Sequence, residues 1–206
     1  MRPLTPIAHL LYMAGFGGVV VRPKVVRDLV RGRQGAQESV YKDFSKPVYS
    51  MALQILRNVQ LAEDVTHDTF VDVFTNTSKL RDHSALAAWI RKIAVNRCLM
   101  VLRSSSYKNS VSTDSLAPKE ISETTDHESA IDIERALKML QPTTRMIVWL
   151  YVVEGYTHSE IGRLFDKSQS YSKSKVSRAL ASLREVTKSS HTEINDSPHP
   201  RRRIGN

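Results

Sequence analysis

The sequence predicts an all-α protein made of two small helical domains joined by a flexible linker. Apolar residues recur at helical spacing through most of the chain, and no segment keeps the apolar/polar alternation of a β-strand. Residues 125–128 and 157–160 both have the T-x-x-E form of a capping box, which begins a helix. Residues 104–127 contain ten Ser or Thr and almost no large apolar side chain, which is typical of a tether.

Amphipathic segments predict four helices in the first domain, at 25–31, 34–57, 61–76 and 84–103. In the second domain, the capping box at 125–128 opens a helix with one apolar face, formed by Ala130, Ile133, Leu137 and Leu140. Pro142 suits the first turn of the next helix. The apolar run 146–153 belongs to that helix, which we interpret as buried rather than as a strand because helical segments flank it.

These patterns divide the chain into an N-terminal extension (1–24), a first helical domain (25–103), a flexible linker (104–127), a second helical domain (128–189) and a disordered basic tail (190–206). In the extension, residues 7–21 form an apolar run behind Arg2, as in a secretory signal. The run is too short to cross a bilayer as a helix, and no A-x-A-like cleavage site follows. We expect no stable membrane insertion; the extension is disordered, packed, or the product of a start codon assigned too far upstream.

The net charge and the cysteine content narrow the class of partner. The sequence has 30 Lys and Arg residues and 21 Asp and Glu residues, so its formal net charge is +9. This charge favours a polyanionic partner, either nucleic acid or an acidic membrane surface. The single cysteine, Cys98, excludes an internal disulfide and a zinc site built on several thiolates. A reducing cytoplasm suits this composition. Cys98 lies in a helical pattern, where we expect a small buried apolar residue.

The last two predicted helices form a helix-turn-helix. Gly155 ends the preceding helix, the capping box at 157–160 begins a short one, and a basic helix follows from about residue 170 to 188. In such a pair the second helix enters the major groove, while hydroxyls and amides at its start bind phosphates. The candidate DNA contacts are Ser170, Tyr171, Lys173, Ser174, Lys175, Ser177 and Arg178. The alternative is a solvated basic helix in a structural bundle.

The segment EGYTHSEIGRLFDKSQSYSKSKVSRALASLRE, residues 154–185, resembles the C-terminal promoter-reading module of bacterial sigma factors of the extracytoplasmic-function (ECF) type. Three positions depart from the family pattern: Asp166 replaces the turn glycine, Lys167 an apolar residue and Ser172 a valine-like one. The resemblance implies that this module reads minus-thirty-five DNA as a duplex.

A second segment, LAEDVTHDTFVDVF at 61–74, is rich in acidic residues although the chain as a whole is basic. On a helix, Asp64, Asp68 and Asp72 form one ridge beside Glu63 and His67, and the apolar residues face the other way. Like charges four residues apart destabilise a helix by roughly 0.2–0.5 kcal/mol per pair. A metal site and a solvated face are the alternatives. The segment is similar to the sigma-factor helix that docks on core RNA polymerase, which implies that these five residues contact the polymerase.

The segment LRDHSALAAWIRKIAVNRCLMVLR, residues 80–103, resembles the family's minus-ten module. In that module a loop captures a base flipped from the melted non-template strand, and the next helix binds the strand. The resemblance implies loop contacts from Lys79, Arg81, Asp82, His83 and Ser84, and helix contacts from Arg91, Lys92, Asn96 and Arg97. Trp89 either stacks on a base or belongs to the core.

Two modules in the family's order, from about residue 25 to 186, identify the chain as a sigma factor. The resemblance implies a non-enzymatic subunit of RNA polymerase with no cofactor and no metal, which directs promoter recognition and opening. It also implies restraint by an anti-sigma protein. One alternative is a stand-alone helix-turn-helix regulator that binds duplex operators, which leaves the acidic face unexplained. The other is an enzyme using Asp64, His67 and Asp68, for which no nucleophile or second ligand set is found.

Overall fold

The structure is a computed structural model that describes residues 16, 19, 21–80, 82–104, 107, 137 and 139–194, except for the side chains of His83 and of 183–194. Every regular element in these residues is helical, so the all-α prediction is confirmed. The α-helices, which we number α1 to α7, are Pro23–Val30, Gln34–Leu56, Val59–Thr75, Leu86–Arg103, Pro142–Val152, His158–Leu164 and Gln169–Ile194. Short 3-10 turns, Thr77–Lys79 and His83–Ala85, lie between α3 and α4.

The first four helices begin and end at local signals. Pro23 stands in the first turn of α1. Helix α2 ends at Leu56, and the next residue, Arg57, adopts a left-handed conformation (φ 55°). The side chain of Asn58 caps α3 by accepting a hydrogen bond from the amide of Leu61 at 3.0 Å. All four helices lie within two residues of the predicted bounds, because such signals act over one turn of chain.

Helices α2, α3 and α4 pack together around one apolar core. Their largest buried side chains include Phe44, Met51, Ile55, Leu86 and Ile90, and full burial of such a side chain contributes roughly 1.5–3 kcal/mol. The extension joins this core: Phe16 is buried, with its ring centroid 6.2 Å from that of Phe44. At Phe16, Val19 and Val21 the N-terminal extension is therefore packed.

The second domain consists of α5, α6 and α7. Pro142 occupies the first turn of α5, and all five residues from Met146 to Leu150 are buried, so this apolar run is a buried helix as predicted. Helix α7 continues to Ile194, beyond residue 188 where the sequence pattern ends it. The capping box at 125–128, most of its helix, most of the linker and residues 195–206 lie outside the described residues. Leu137 is buried and Leu140 half-buried.

The two domains contact each other where α5 meets the end of α2. Arg145 on α5 is 5% exposed, and its Nε donates to the main-chain oxygen of Ile55 at 2.9 Å. Burial lowers the pKa of Arg145 to about 10, although the nearby Tyr107 opposes this shift. A buried guanidinium therefore couples the domains. Among the described helices, none has the length and apolar character needed to cross a membrane.

Candidate functional site

Helix α3 has two chemically different faces. Glu63, Asp64, His67 and Asp68 are exposed, and Asp72 is half-buried. On the opposite side, Ala62, Val65, Thr69, Phe70 and Val73 are buried. The hydroxyl of Thr69 donates to the main-chain oxygen of Val65 at 2.7 Å, which satisfies a polar group inside the core. The predicted segregation of acidic and apolar residues on this helix is confirmed.

Arg97 lies against this acidic face. Its guanidinium is 2.7 Å from Asp72 and 3.3 Å from Asp68. The hydrogen bond with Asp72 raises the pKa of Arg97, with burial opposing and both carboxylates adding to the rise. The resemblance grouped Arg97 with the minus-ten helix residues, yet the structure places it in ion pairs with two of the proposed polymerase contacts. In the described part of the chain, no three His, Cys, Asp or Glu side chains are placed to hold a metal ion.

The loop before α4 is ordered by Asp82. Its carboxylate accepts hydrogen bonds from the amide of Ser84 at 2.9 Å and from its hydroxyl at 2.6 Å, which begins the 3-10 turn. Lys79, Asp82 and Ser84 are exposed. Arg81 and the side chain of His83 lie outside the described residues. Lys79, Asp82 and Ser84 therefore form an exposed polar edge beside the start of α4.

A cavity of about 390 Å³ adjoins this loop. Its walls come from Ser84 and the start of α4 on one side, and from Val19, Val21 and the start of α1 on the other. Sequence reasoning did not assign the extension to this region. The apolar run at 7–21 could have indicated this packing, because apolar side chains are stabilised when they are buried against another apolar surface.

The exposed face of α4 carries Lys92 and Asn96, while Arg91 and Trp89 are half-buried. Trp89 packs on the core, which supports the core alternative for this residue. The guanidinium of Arg91 faces the second domain, with its NH1 3.5 Å from the carboxylate of Glu154 and 3.2 Å from its main-chain oxygen. It also lies 5.5 Å from the ring centroid of Tyr156. Arg91 therefore has partners that the sequence did not predict.

Glu154 is the buried member of this pair, with its side chain 4% exposed. Its carboxylate accepts from the indole nitrogen of Trp149 at 3.2 Å. Burial raises the pKa of Glu154, and the charge of Arg91 opposes the shift. Because a buried carboxylate without a partner is strongly unfavourable, Arg91 and Trp149 are what allow Glu154 to lie between the domains.

The helix-turn-helix is assembled by short local contacts. The predicted capping box is present: the hydroxyl of Thr157 accepts from the amide of Glu160, and the carboxylate of Glu160 accepts from the amide of Thr157 at 2.8 Å. A Cβ added at Gly162 would lie 2.8 Å from the main-chain oxygen of Lys167, so the turn packs directly on α6. Asp166, at the usual glycine position, is left-handed with φ 53°.

Ser172 replaces an apolar residue of the pattern and compensates by hydrogen bonding. It is fully buried, and its hydroxyl lies 3.1 Å from Nδ1 of His158. The imidazole of His158 stacks on Tyr151, with centroids 4.2 Å apart. These contacts connect α5, α6 and α7, which holds the second helix of the motif in place. Lys167, another departure, is exposed.

All seven candidate DNA contacts on α7 are accessible. Ser170, Lys173, Ser177 and Arg178 are exposed, whereas Tyr171, Ser174 and Lys175 are half-buried. The ammonium of Lys175 lies 5.9 Å from the ring centroid of Tyr171. Val176 and Ala179 are buried on the opposite side. The helix therefore offers a basic, hydroxyl-rich surface on a packed support.

Comparisons with known proteins agree with this architecture. The protein-family model for Sigma-70 region 2 matches residues 40–107. The protein-family model for Sigma-70, region 4 matches residues 130–183. The ECF RNA polymerase sigma factor SigM of Mycobacterium tuberculosis is 25% identical over 183 residues, which cover 88% of this chain and 93% of SigM. This chain belongs to the ECF-type sigma factors.

Other sigma factors are similar over somewhat less of the chain. CarQ of Myxococcus xanthus is 27% identical over 161 residues, covering 75% of this chain and 91% of CarQ. The ECF sigma factor SigE of Mycolicibacterium smegmatis is 26% identical over 166 residues, covering 75% of this chain and 63% of SigE.

The sigma factor directs promoter recognition by RNA polymerase in transcription initiation, as a non-catalytic subunit that binds core polymerase and promoter DNA. The prediction of the family is confirmed. A stand-alone regulator would need only the second module, so the match to region 2 decides against it.

Proposed function

We propose that the first domain, 25–103, binds core RNA polymerase and the melted minus-ten strand, and that the second, 128–189, binds minus-thirty-five duplex. The observation that carries this division is the separation of charge between α3 and α7. An acidic helix face and a basic helix lie on different domains, so one chain can bind a protein surface and a polyanion. In this proposal, 104–127 is the tether and 190–206 a basic tail.

The polymerase contact consists of Glu63, Asp64, His67, Asp68 and Asp72. The buried residues of α3 fix the direction of these side chains, so the face is preorganised for binding. Arg97 neutralises part of the charge through Asp68 and Asp72. We therefore propose Arg97 as a support of the polymerase-binding face as well as a candidate strand contact.

The minus-ten contact combines the ordered loop with the exposed side of α4. Lys79 and Lys92 supply charge for phosphates, and Asn96 offers an amide for a base or sugar. Asp82 and Ser84 hold the loop beside the 390 Å³ cavity, which is large enough for a single unpaired base. Binding of unpaired bases supplies the energy of promoter opening, without nucleotide hydrolysis.

The minus-thirty-five contact is the start of α7 in the major groove. Lys173 and Arg178 are exposed, and Arg can bind guanine through two hydrogen bonds. Ser170 and Ser177 have hydroxyls suited to phosphates. We also propose that the protein acts in the cytoplasm. An anti-sigma protein would inhibit it by covering the polymerase-binding face of α3, the start of α7, or both.

The test is co-elution of the purified protein with sigma-free core RNA polymerase. The Asp64→Lys, Asp68→Lys variant should lose co-elution while its circular dichroism spectrum remains helical. Glu38→Lys, Asp43→Lys is the matched control, because it makes the same charge change at exposed positions of α2. Unchanged binding by the α3 variant, or equal loss in the control, would refute the proposed docking face.

A further inference from the structure

Helix α1 carries an exposed basic surface that none of the contacts proposed above uses. Lys24 and Arg27 lie in the helix and Arg31 directly follows it, at intervals of three and four residues that place all three on one side. The three side chains are exposed, as is Arg22 just before the helix. We call these four residues the α1 basic strip. Other residues of α1 are buried in the core and fix the direction of the strip.

Neither ion pairing nor helix stability accounts for these charges. Asp28 is the only acidic residue before Glu38, and it pairs with Arg33 at 3.6 Å. Among the described residues, no carboxylate pairs with a side chain of the strip. Arg22 and Lys24 stand at the start of α1, where the helix dipole favours negative charge, so these two cations destabilise the helix. The strip is therefore positive charge that the fold itself does not use.

The strip adjoins the loop proposed to hold the minus-ten strand. Helix α1 packs against both 3-10 turns of that loop. Pro23, which stands between Arg22 and Lys24, lines the cavity of about 390 Å³ together with Ser84. The start of α1 and the loop are thus two walls of one cavity. A strand that ran along α4 and the loop would meet the strip if it continued beyond the cavity.

The chemistry of this surface fits a nucleic-acid strand better than a membrane. A membrane-binding segment presents apolar side chains to the lipid beside its cations. Here Phe16 is buried, Val19 and Val21 pack on the core, and no large apolar side chain of the described residues before α2 is exposed. From Lys24 to Arg31 the strip extends about 10 Å at 1.5 Å per residue. That is about the length of three phosphates spaced 3.4 Å apart along a strand.

We infer that the α1 basic strip is a further binding surface for the melted non-template strand, and that it holds the phosphates beside the captured base on the side away from α4. The inference deepens the proposed function and rests on it, because the loop must hold the strand for the strip to continue the contact. Contacts to phosphates add affinity without reading sequence. Each such contact on a single strand contributes about 0.7 to the slope of log affinity against log salt concentration.

Lys24→Gln, Arg27→Gln in the full chain tests the strip. Glutamine removes the charge and keeps an unbranched side chain with similar helix propensity. Lys42→Gln, Lys46→Gln is the matched control, because it makes the same charge change at exposed positions of α2. The probe is a fluorescent single strand of mixed sequence, about 15 nucleotides long. Its affinity is measured between about 50 and 200 mM salt.

The strip variant should bind the strand roughly tenfold or more weakly than the unsubstituted protein at about 50 mM salt. Its salt slope should be lower by about 1.4, which is two contacts at about 0.7 each. The control should keep the unsubstituted slope. An unchanged slope in the strip variant, or an equal reduction in the control, would overturn the inference. If the strip variant has a lower urea midpoint, Arg31→Gln, outside the helix, gives the same test with a slope lower by about 0.7.

Crosslinking tests where the strand lies. A photoactivatable group attached at Lys24→Cys should crosslink to the strand, whereas the same group at Lys42→Cys should not. Cys98 is buried and does not take the reagent. Crosslinking from position 42 alone would overturn the inference.

Two further measurements separate this inference from its alternatives. Lys92→Gln, Asn96→Ala tests the α4 contact by itself. If strand affinity is unchanged in that variant but reduced in the strip variant, the proposed minus-ten contact on α4 fails while the strip stands as a strand-binding surface. The second measurement is binding to vesicles of phosphatidylcholine with about one-third phosphatidylserine. Vesicle binding that is lost in the strip variant, with strand binding unchanged, would assign the strip to a membrane surface and overturn the inference.

Discussion

The guanidinium of Arg145 donates a hydrogen bond of 2.9 Å to the main-chain oxygen of Ile55, ninety residues earlier in the chain. This oxygen is one of the last four carbonyls of α2, which have no partner within their own helix. The hydroxyl of Tyr107 contacts the neighbouring oxygen of Leu56 at 3.4 Å. A positive charge at the carbonyl end of a helix is also favoured by the helix dipole. The end of α2 is therefore completed by residues outside the first four helices.

Arg145→Met tests this contact. The substitution keeps the length and apolar bulk of the side chain but leaves the oxygen of Ile55 buried without a donor. We expect the free energy of unfolding to fall by about 1–3 kcal/mol, measured by urea denaturation. Arg163→Met, at an exposed position of α6, should change it by less than about 0.5 kcal/mol. Equal stability of the Arg145 variant would show that the hydrogen bond contributes nothing.

Gly162→Ala tests the packing of the turn on α6. The new methyl group would meet the main-chain oxygen of Lys167 at 2.8 Å, and backbone cannot rotate away as a side chain can. We expect a loss of about 1–3 kcal/mol in stability and weaker binding of minus-thirty-five duplex. Gly35→Ala is the control, because nothing lies near its added carbon. A Gly162 variant that melts at the same temperature would contradict the close approach.

Glu160 predicts a pH dependence of stability. Hydrogen bonds from the amide and hydroxyl of Thr157 lower the pKa of Glu160. A carboxyl group whose pKa is lowered by folding adds stability that is present above its ordinary pKa, about 4.3, and is lost as the pH falls through the lowered value.

The comparison of the protein with its Glu160→Gln variant isolates this effect, because glutamine can keep the capping box without titrating. We expect the stability difference between them, measured by thermal melting, to shrink as the pH is lowered from 6 towards 3. A difference that stays constant over this range would rule out the linkage. Glu160→Ala removes the capping interaction and should be less stable at every pH.

Cys98 should be chemically inert in the folded protein. It is fully buried, and burial raises the pKa of its thiol to about 12, so almost no thiolate exists at pH 8. We expect no reaction with an aromatic disulfide reagent at pH 8, followed by stoichiometric reaction in denaturing urea. In a separate Lys42→Cys variant, the added thiol at an exposed position of α2 should react at once under the same native conditions. Rapid labelling of Cys98 under native conditions would contradict its burial.

Phe16→Ala tests whether the extension belongs to the first domain. Phe16 is 5% exposed and packs on Phe44, so truncation should destabilise the fold by about 3 kcal/mol, at the low end for a buried phenylalanine. Val59→Ala, at an exposed apolar position, should have little effect. The readout is the midpoint of urea unfolding. If the two variants unfold at the same denaturant concentration, the packing of Phe16 contributes no stability.

The sequence alone was sufficient for features that depend on one or two turns of chain. The capping box of Thr157 and Glu160, Pro142 in a first turn and the buried run from Met146 to Leu150 all follow from spacing within a single helix. The two faces of α3 follow for the same reason, because residues four apart share a side of a helix. The presence of two recognisable modules in the family's order was sufficient to predict the family.

Only the tertiary structure decided which charged groups meet. Arg97 pairs with Asp72, 25 residues away, and Arg91 with Glu154, 63 residues away, although the sequence suggested DNA as the partner of both arginines. A sequence does not show which group an arginine will meet, because its long flexible side chain can reach any acidic group or DNA phosphate that packing brings near it. The physical reason is that helices form from bonds between residues four apart, whereas ion pairs between helices depend on how whole surfaces fit together.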